Sequence, residues 1–271
     1  MLIDNHEELR AQYNPDGSDL RRAQLRMLEM LKFIKNVCEN NGITYWIDGG
    51  TLLGAARHDG FIPWDDDTDV CMPREDYLRF KQYMLNDNKN EDFVLQCHQT
   101  DPNYYGTWGV LRDLRSKYVK KSARLNNYKY QGLQVDIFPI DSKSSNIFYW
   151  KLCRWVFAYL IHAPLHEGRL TKYLRFNVRP AFFFLTKVMI PVCRLFTRSG
   201  SYVYSHQYGT FWHYKWGKDM LFPNRVIMFE GVSFPAPCDV DSYLTSIYGN
   251  WRKVPNLKDR FNHKAKFSFI D

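Results

Sequence analysis

Four aspartates fall within five positions of this chain, Asp65, Asp66, Asp67 and Asp69, in the run IPWDDDTDVCM at residues 62–72. Apolar residues close in on both sides, Phe61-Ile62-Pro63-Trp64 before and Val70-Cys71-Met72 after. If 65–70 is extended, Asp65, Asp67 and Asp69 share one face while Asp66 and Thr68 share the other. Two carboxylates about 4 Å apart repel by roughly 1 kcal/mol in water and about 4 kcal/mol at a protein-surface dielectric. A solvated acidic turn is the ordinary reading of an aspartate run, but the apolar flanks argue against it here. The cluster calls for a cation, and a hard divalent ion with oxygen ligands, Mg2+ or Mn2+, suits the donor type. An EF-hand loop starting at Asp65 fails, because its sixth position is Val70 and its twelfth is Asp76.

A second acid fits the same picture. Asp136 stands alone in the apolar run LQVDIFPI, between Val135 and Ile137. An unpaired acid in such a strand is expensive unless it is hydrogen-bonded or metal-bound. Asp136 is therefore the natural third wall of the cluster, with a hydrogen-bonded strand-end acid as the plainer alternative.

Ahead of the aspartates, WIDGGTLLGAAR reads as a strand, a Gly-Gly break and a helix. Gly49 and Gly50 let the backbone approach a ligand closely. Thr51 is predicted to cap the helix, whose free N–H groups would form an anion site. Neither a Walker loop nor a dinucleotide fingerprint is present. Arg57, at the helix end, and Arg112, in GVLRDLR, are candidate phosphate clamps, each with a surface ion pair as the alternative. Trp64 and Trp108 could stack on a base, although a core role is commoner for tryptophan.

The remaining elements follow from periodicity. Residues 18–40 have helical spacing, with Ser18 or Asp19 to cap and Asn41-Gly42 to stop. Short strands are expected at 43–47, 68–72 and 133–140 and in FVLQCH, and helices at 74–85 and near YLTSIYGNW. VIMFEGVSFPAP reads as a strand pair.

The net charge of +8 is concentrated. Residues 142–200 hold ten Lys or Arg and one acid, Glu167, so the rest of the chain is close to neutral. That segment is also aromatic and apolar, but neither of its apolar runs gives 18 uncharged residues. It suits an interfacial helical subdomain in contact with anionic headgroups, or a plain buried one. Its apolar runs are too continuous for a nucleic-acid groove, so no nucleic-acid partner is expected. His162 and His166 stand four apart, but Pro164 between them weakens a shared helix face, so they are not taken as metal ligands. Six scattered cysteines without a Cys-x-x-Cys, and an N-terminus without an apolar core, point to a cytoplasmic setting.

The stretch GGTLLGAARHDGFIPWDDDTDVCMPREDY resembles the signature of the LicD family, whose relatives include fukutin and fukutin-related protein. The likeness covers residues 20–80 and returns at VDIFPID (135–141) and YLTSIYGNW (243–251). It implies an α+β fold of nucleotidyltransferase type, a mixed sheet flanked by helices. Residues 1–271 would form a single catalytic domain, with 142–200 as a basic aromatic helical insertion. The resemblance also implies transfer of a phospho-alcohol, such as phosphocholine or a polyol phosphate, from a CDP-activated donor to a glycan or lipid-linked glycan, with release of CMP. Gly49, Gly50 and Thr51 match the glycine turn. Asp67 and Asp69 match the metal-binding pair, Asp136 the third acid, and Asp65 falls within the motif. A lipid-linked acceptor would place the enzyme at the inner face of the cytoplasmic membrane. Attack at the donor's α-phosphate, or a non-catalytic membrane or glycan-binding module, remain the alternatives.

Overall fold

In the computed structural model, the described residues are 6–104, 106–119, 128–144, 202–206, 214–260 and 266–270, with scattered positions between 180 and 192. Most of the basic aromatic segment 142–200, including His162 and His166, lies outside them. Two compact units are present, one comprising Met1–Pro139 with Asp219–Asp271, the other Ile140–Lys218.

The first unit is a mixed α+β layer structure. Its sheet runs in the order β1 (Trp46–Asp48), β2 (Asp69–Pro73), β6 (Gln134–Ser144), β4 (Gly109–Asp113), β3 (Phe93–Gln96). A separate antiparallel pair joins β5 (Ser116–Val119) to β10 (Lys266–Phe269). A hairpin joins β8 (Arg225–Phe229) to β9 (Val232–Ala236). In the second unit, the end of β6 from Ile140 to Ser144 pairs antiparallel with β7 (Tyr202–His206).

The helices form where the sequence supplies both a buried face and stops. After the short α1 (His6–Tyr13) comes α2 (Asp19–Asn41). Ser18 caps α2 by accepting from the Arg21 N–H, and Gly42 ends it in the left-handed region at φ 58°. Between those stops Ala23, Met27, Met30, Leu31, Ile34 and Cys38 are completely buried, which gives the helix its core-facing stripe. Helix α4 (Arg74–Asn86) follows β2 directly and buries Tyr77, Phe80 and Met84.

The polar side of α2 fastens the surrounding parts. Arg26 donates to Asp113 at the end of β4 at 2.8 Å. Gln24 is fully buried and donates to the backbone carbonyl of Asp65 at 2.9 Å, which fixes the start of the acidic run. Arg21 grips Glu230 with both guanidinium nitrogens, at 3.0 and 2.7 Å. Glu230 and Gly231 form the two-residue hairpin turn, both at positive φ, 49° and 73°. The Glu230 carboxylate also accepts from the Phe61 N–H at 3.1 Å, so one side chain ties α2, the hairpin and the approach to the aspartates. Burial opposes its charge, but the Arg21 fork and the Phe61 N–H outweigh that and hold the carboxyl below its usual range.

Breaking a buried pair on one side leaves an uncompensated charge. Glu230→Gln is expected to lower the unfolding free energy by about 3 kcal/mol in urea titrations. Arg21→Met combined with Glu230→Met is expected to lie closer to wild type than either single substitution. Because the folded carboxyl is more acidic than the free one, this stabilisation is complete above the unfolded value and is lost as pH falls through the folded one.

Candidate metal and phosphate site

Three elements meet at the site. Strand β1 ends at Asp48, and α3 (Gly49–His58) begins on the next residue. Strand β2 lies antiparallel to β1 with Asp48 opposite Asp69. On the other side of β2, the Asp136 N–H of β6 donates to the Thr68 carbonyl at 2.9 Å. This short ladder brings the glycine turn, the aspartate run and Asp136 to one end of the sheet.

The alternation expected from the sequence is present. Asp66 and Thr68 are buried, whereas Asp65, Asp67 and Asp69 are half-buried on the opposite side. Asp136 is likewise half-buried, while Val135 and Ile137 beside it are completely buried on the core face. Two close approaches join the glycines to the acids. A Cβ on Gly49 would lie 2.6 Å from Asp69 Oδ2, and one on Gly50 would lie 2.7 Å from Asp65 Oδ2. The helix start and the carboxylates therefore lie close together, and a side chain at either glycine would displace a carboxylate.

The electrostatics are strained. Burial and then the charges of Asp67, Asp136, Asp48 and Asp65 push the Asp69 carboxyl well above its ordinary range. Burial, followed by Asp67 and Asp66, does the same to Asp65. Such groups ionise together only with a compensating cation. Asp65, Asp67, Asp69 and Asp136 are half-buried oxygen donors, the ligand type that hard divalent cations take.

Thr51 differs from its predicted role. The helix starts two residues earlier, at Gly49, whose φ is +53°, and Asp48 occupies the capping position. The Thr51 hydroxyl instead accepts the Asp69 N–H at 2.8 Å, joining α3 to β2. Asp48 makes no side-chain cap, because its carboxylate accepts from the Tyr243 hydroxyl at 2.6 Å and the Cys71 thiol at 2.9 Å. Tyr243 lies on α5 (Val240–Tyr248), so the C-terminal helix is tied to the root of the glycine turn.

The two arginines are engaged in different ways. Arg57 Nε donates to His58 Nε2 at 2.9 Å, and its Nη1 donates to the Trp251 carbonyl at 3.0 Å. Arg112 is buried, and donates to Gln96 Oε1, the Gly132 carbonyl and Gln134 Oε1 at 2.7, 3.0 and 2.8 Å. In this arrangement its fork is occupied within the sheet and is not turned to a phosphate. Trp64 is buried between Tyr13 and His58. Trp108 is half-buried, and its Nε1 donates to Asp136 Oδ1 at 3.0 Å.

Residues 42–167 match the family model described as LicD/FKTN/FKRP, nucleotidyltransferase domain. The lipopolysaccharide cholinephosphotransferase LicD of Haemophilus influenzae is 28% identical over 271 aligned residues, spanning 93% of this chain and 98% of that protein. The chain is similar to the LicD family, through the family-model match at 42–167 and the near full-length likeness to LicD. Shorter likenesses reach further. Ribitol 5-phosphate transferase FKRP of Homo sapiens is 48% identical over 48 residues, 18% of this chain and 10% of FKRP. Mannosyltransferase regulator 4 of Saccharomyces cerevisiae is 29% identical over 79 residues, 29% of this chain and 6% of that protein. All the candidate site positions, Gly49 to Asp136, fall inside the part matched by the LicD-family model. Among the described residues no helix is long and apolar enough to cross a membrane.

Two predictions concern the site's surroundings. Gly49→Ala combines a positive φ, which disfavours an L-residue by about 1–2 kcal/mol, with a Cβ against Asp69. Gly17→Ala, also at positive φ but with nothing within 4 Å, incurs only the backbone term. Denaturant titrations are expected to show the larger loss for Gly49→Ala. The second concerns His58, which is buried and lowered to about 3, first by burial and then by Arg57 and His6. The unfolded chain binds this proton near pH 6.5 and the folded one does not, so stability is complete above that pH and falls on acidification. Between pH 7 and 5 wild type should lose about 2 kcal/mol more than His58→Gln, as read by urea unfolding at both pH values.

Proposed function

We propose that this chain is a metal-dependent phosphotransferase of the LicD family. It moves a phospho-alcohol from a CDP-activated donor to a hydroxyl of a cell-surface glycan and releases CMP. The observation that carries this reading is the close approach of the Gly49-Gly50 helix start to Asp69 and Asp65, in one site with Asp67 and Asp136. A diphosphate needs both halves of that arrangement, N–H groups for its oxygens and carboxylates for its counter-ion.

In this reading Asp65, Asp67, Asp69 and Asp136 hold a divalent cation, Mg2+ or Mn2+. When bound, the ion neutralises the donor's phosphate oxygens and the charge that develops as CMP leaves. Gly49, Gly50 and Thr51, at the start of α3, present backbone to the phosphates. Arg57, at the far end of that helix, is the candidate for an outer phosphate contact. The acceptor hydroxyl oxygen forms a bond to the phosphorus that carries the alcohol, and the bond from that phosphorus to the bridging oxygen breaks. The bridging oxygen and its electron pair leave with CMP. The hydroxyl proton passes to a carboxylate, for which Asp136 is the candidate. The acceptor is a glycan, in one form lipid-linked and met at the cytoplasmic face of the membrane. Residues 142–200, basic and aromatic, are the segment suited to touch that surface.

The test is a panel of CDP-choline, CDP-ribitol, CDP-glycerol and CDP-ethanolamine with Mg2+, read by thermal shift and then by CMP release with candidate glycans. One donor is expected to stabilise the protein preferentially, and CMP release is expected to need both metal and acceptor. Asp69→Asn should lower turnover at least about a hundredfold. Release of the phospho-alcohol, with CMP transferred to the acceptor, would indicate attack at the α-phosphate instead. Metal-dependent stability with no turnover of any donor would indicate a binding module.

A further inference from the structure

Asp136 is held from behind by a hydrogen-bonded chain that runs across the sheet. Its Oδ1 accepts from Trp108 Nε1 and its Oδ2 from Gln134 Nε2, both at 3.0 Å. Gln134 and Asp136 are two apart on β6, so they share a face, and Arg112 lies opposite Gln134 on β4. Arg112 Nη1 donates to Gln134 Oε1 at 2.8 Å, and this sets the direction of the amide. A flipped amide would turn N–H groups toward the guanidinium and its oxygen toward the carboxylate, with repulsion at both ends.

Arg112 is oriented in turn. Its Nε donates to Gln96 Oε1 at 2.7 Å, and Gln96 Nε2 donates to Asp101 Oδ2 at 2.7 Å. The chain therefore reads carboxylate, amide, guanidinium, amide, carboxylate, with every donor facing an acceptor. Gln96 and Asp101 are completely buried and Arg112 and Gln134 nearly so, which gives each bond a low-dielectric setting. Trp108 is steadied by Phe138, with ring centroids 5.4 Å apart.

We infer that Trp108, Gln134 and Arg112 are positioning residues that fix the Asp136 carboxylate and thereby set the divalent-cation affinity of the site. This deepens the proposed function and rests on its assignment of Asp136 to the cation. Two N–H donors, one on each oxygen, fix the plane of the carboxylate. Partners of this kind commonly change metal affinity by about 10–100-fold when removed, through ligand orientation and without contact with the ion. Arg112 acts through Gln134, and its positive charge lies between the half-buried Asp136 and the buried Asp101.

The experiment is Mn2+ titration of the purified full chain by calorimetry, with free Mn2+ followed by electron paramagnetic resonance. Wild type is compared with Trp108→Phe, Gln134→Met, Arg112→Lys and Asp136→Asn. Trp108→Phe keeps the ring and removes only the N–H, so it carries the test if Gln134→Met or Arg112→Lys fails to fold. The expected result is a loss of Mn2+ affinity of about tenfold or more in Trp108→Phe and Gln134→Met. Melting temperatures without metal should stay close to wild type in Trp108→Phe. Wild-type affinity in a folded Trp108→Phe, alongside weakened binding in Asp136→Asn, would overturn the positioning role and leave the site assignment standing. Mn2+ binding unaffected by Asp136→Asn, or absent from wild type, would overturn the site assignment and this inference with it.

Discussion

Like-charge repulsion at one end of the sheet is the constraint on which the rest of the structure depends. Asp69 is raised by burial and by four other aspartates, and three of them arrive from the residues around β1 and β2 alone. Such a cluster stays together only if the backbone that carries it is fixed more firmly than the charges repel. The fastening is visible on every side. Gln24 holds the Asp65 carbonyl, the Thr51 hydroxyl holds the Asp69 N–H, and the Thr68 carbonyl holds the Asp136 N–H. These are backbone anchors, and they fix the positions from which the carboxylates project.

The acids divide into two groups by partner. Asp48 is buried and accepts from Tyr243 and Cys71, which makes it the root that ties α5 to the glycine turn. Asp65, Asp67, Asp69 and Asp136 are half-buried. The hydroxyl of Tyr243 is part of the support for the turn, and the supporting segment lies far along the chain.

Local chemistry made much of this legible. Ser18 and Gly42 bracket α2 because capping is a property of a few neighbouring residues. The alternation of Asp65, Asp67 and Asp69 against Asp66 and Thr68 follows from strand geometry alone. Asp136 was readable because an acid between Val135 and Ile137 has no apolar explanation. The same signal marks Asp48 in WIDGG, whose partners Tyr243 and Cys71 are supplied by tertiary structure. Thr51 reads locally as a cap, but its hydroxyl has more than one possible use, and the approach of β2 selects the bond to the Asp69 N–H.

What the sequence by itself determined was the set of elements and the fact of an acidic site beside a glycine turn, since both arise from residue type and short-range spacing. What tertiary structure alone decided was direction. Arg112 points along the sheet to Gln96 and Gln134, Glu230 reaches back to Arg21, and Tyr243 bonds Asp48 across 195 residues. A long side chain can serve any partner within its reach, and which partners are within reach is set by strand order and register, which no local pattern encodes.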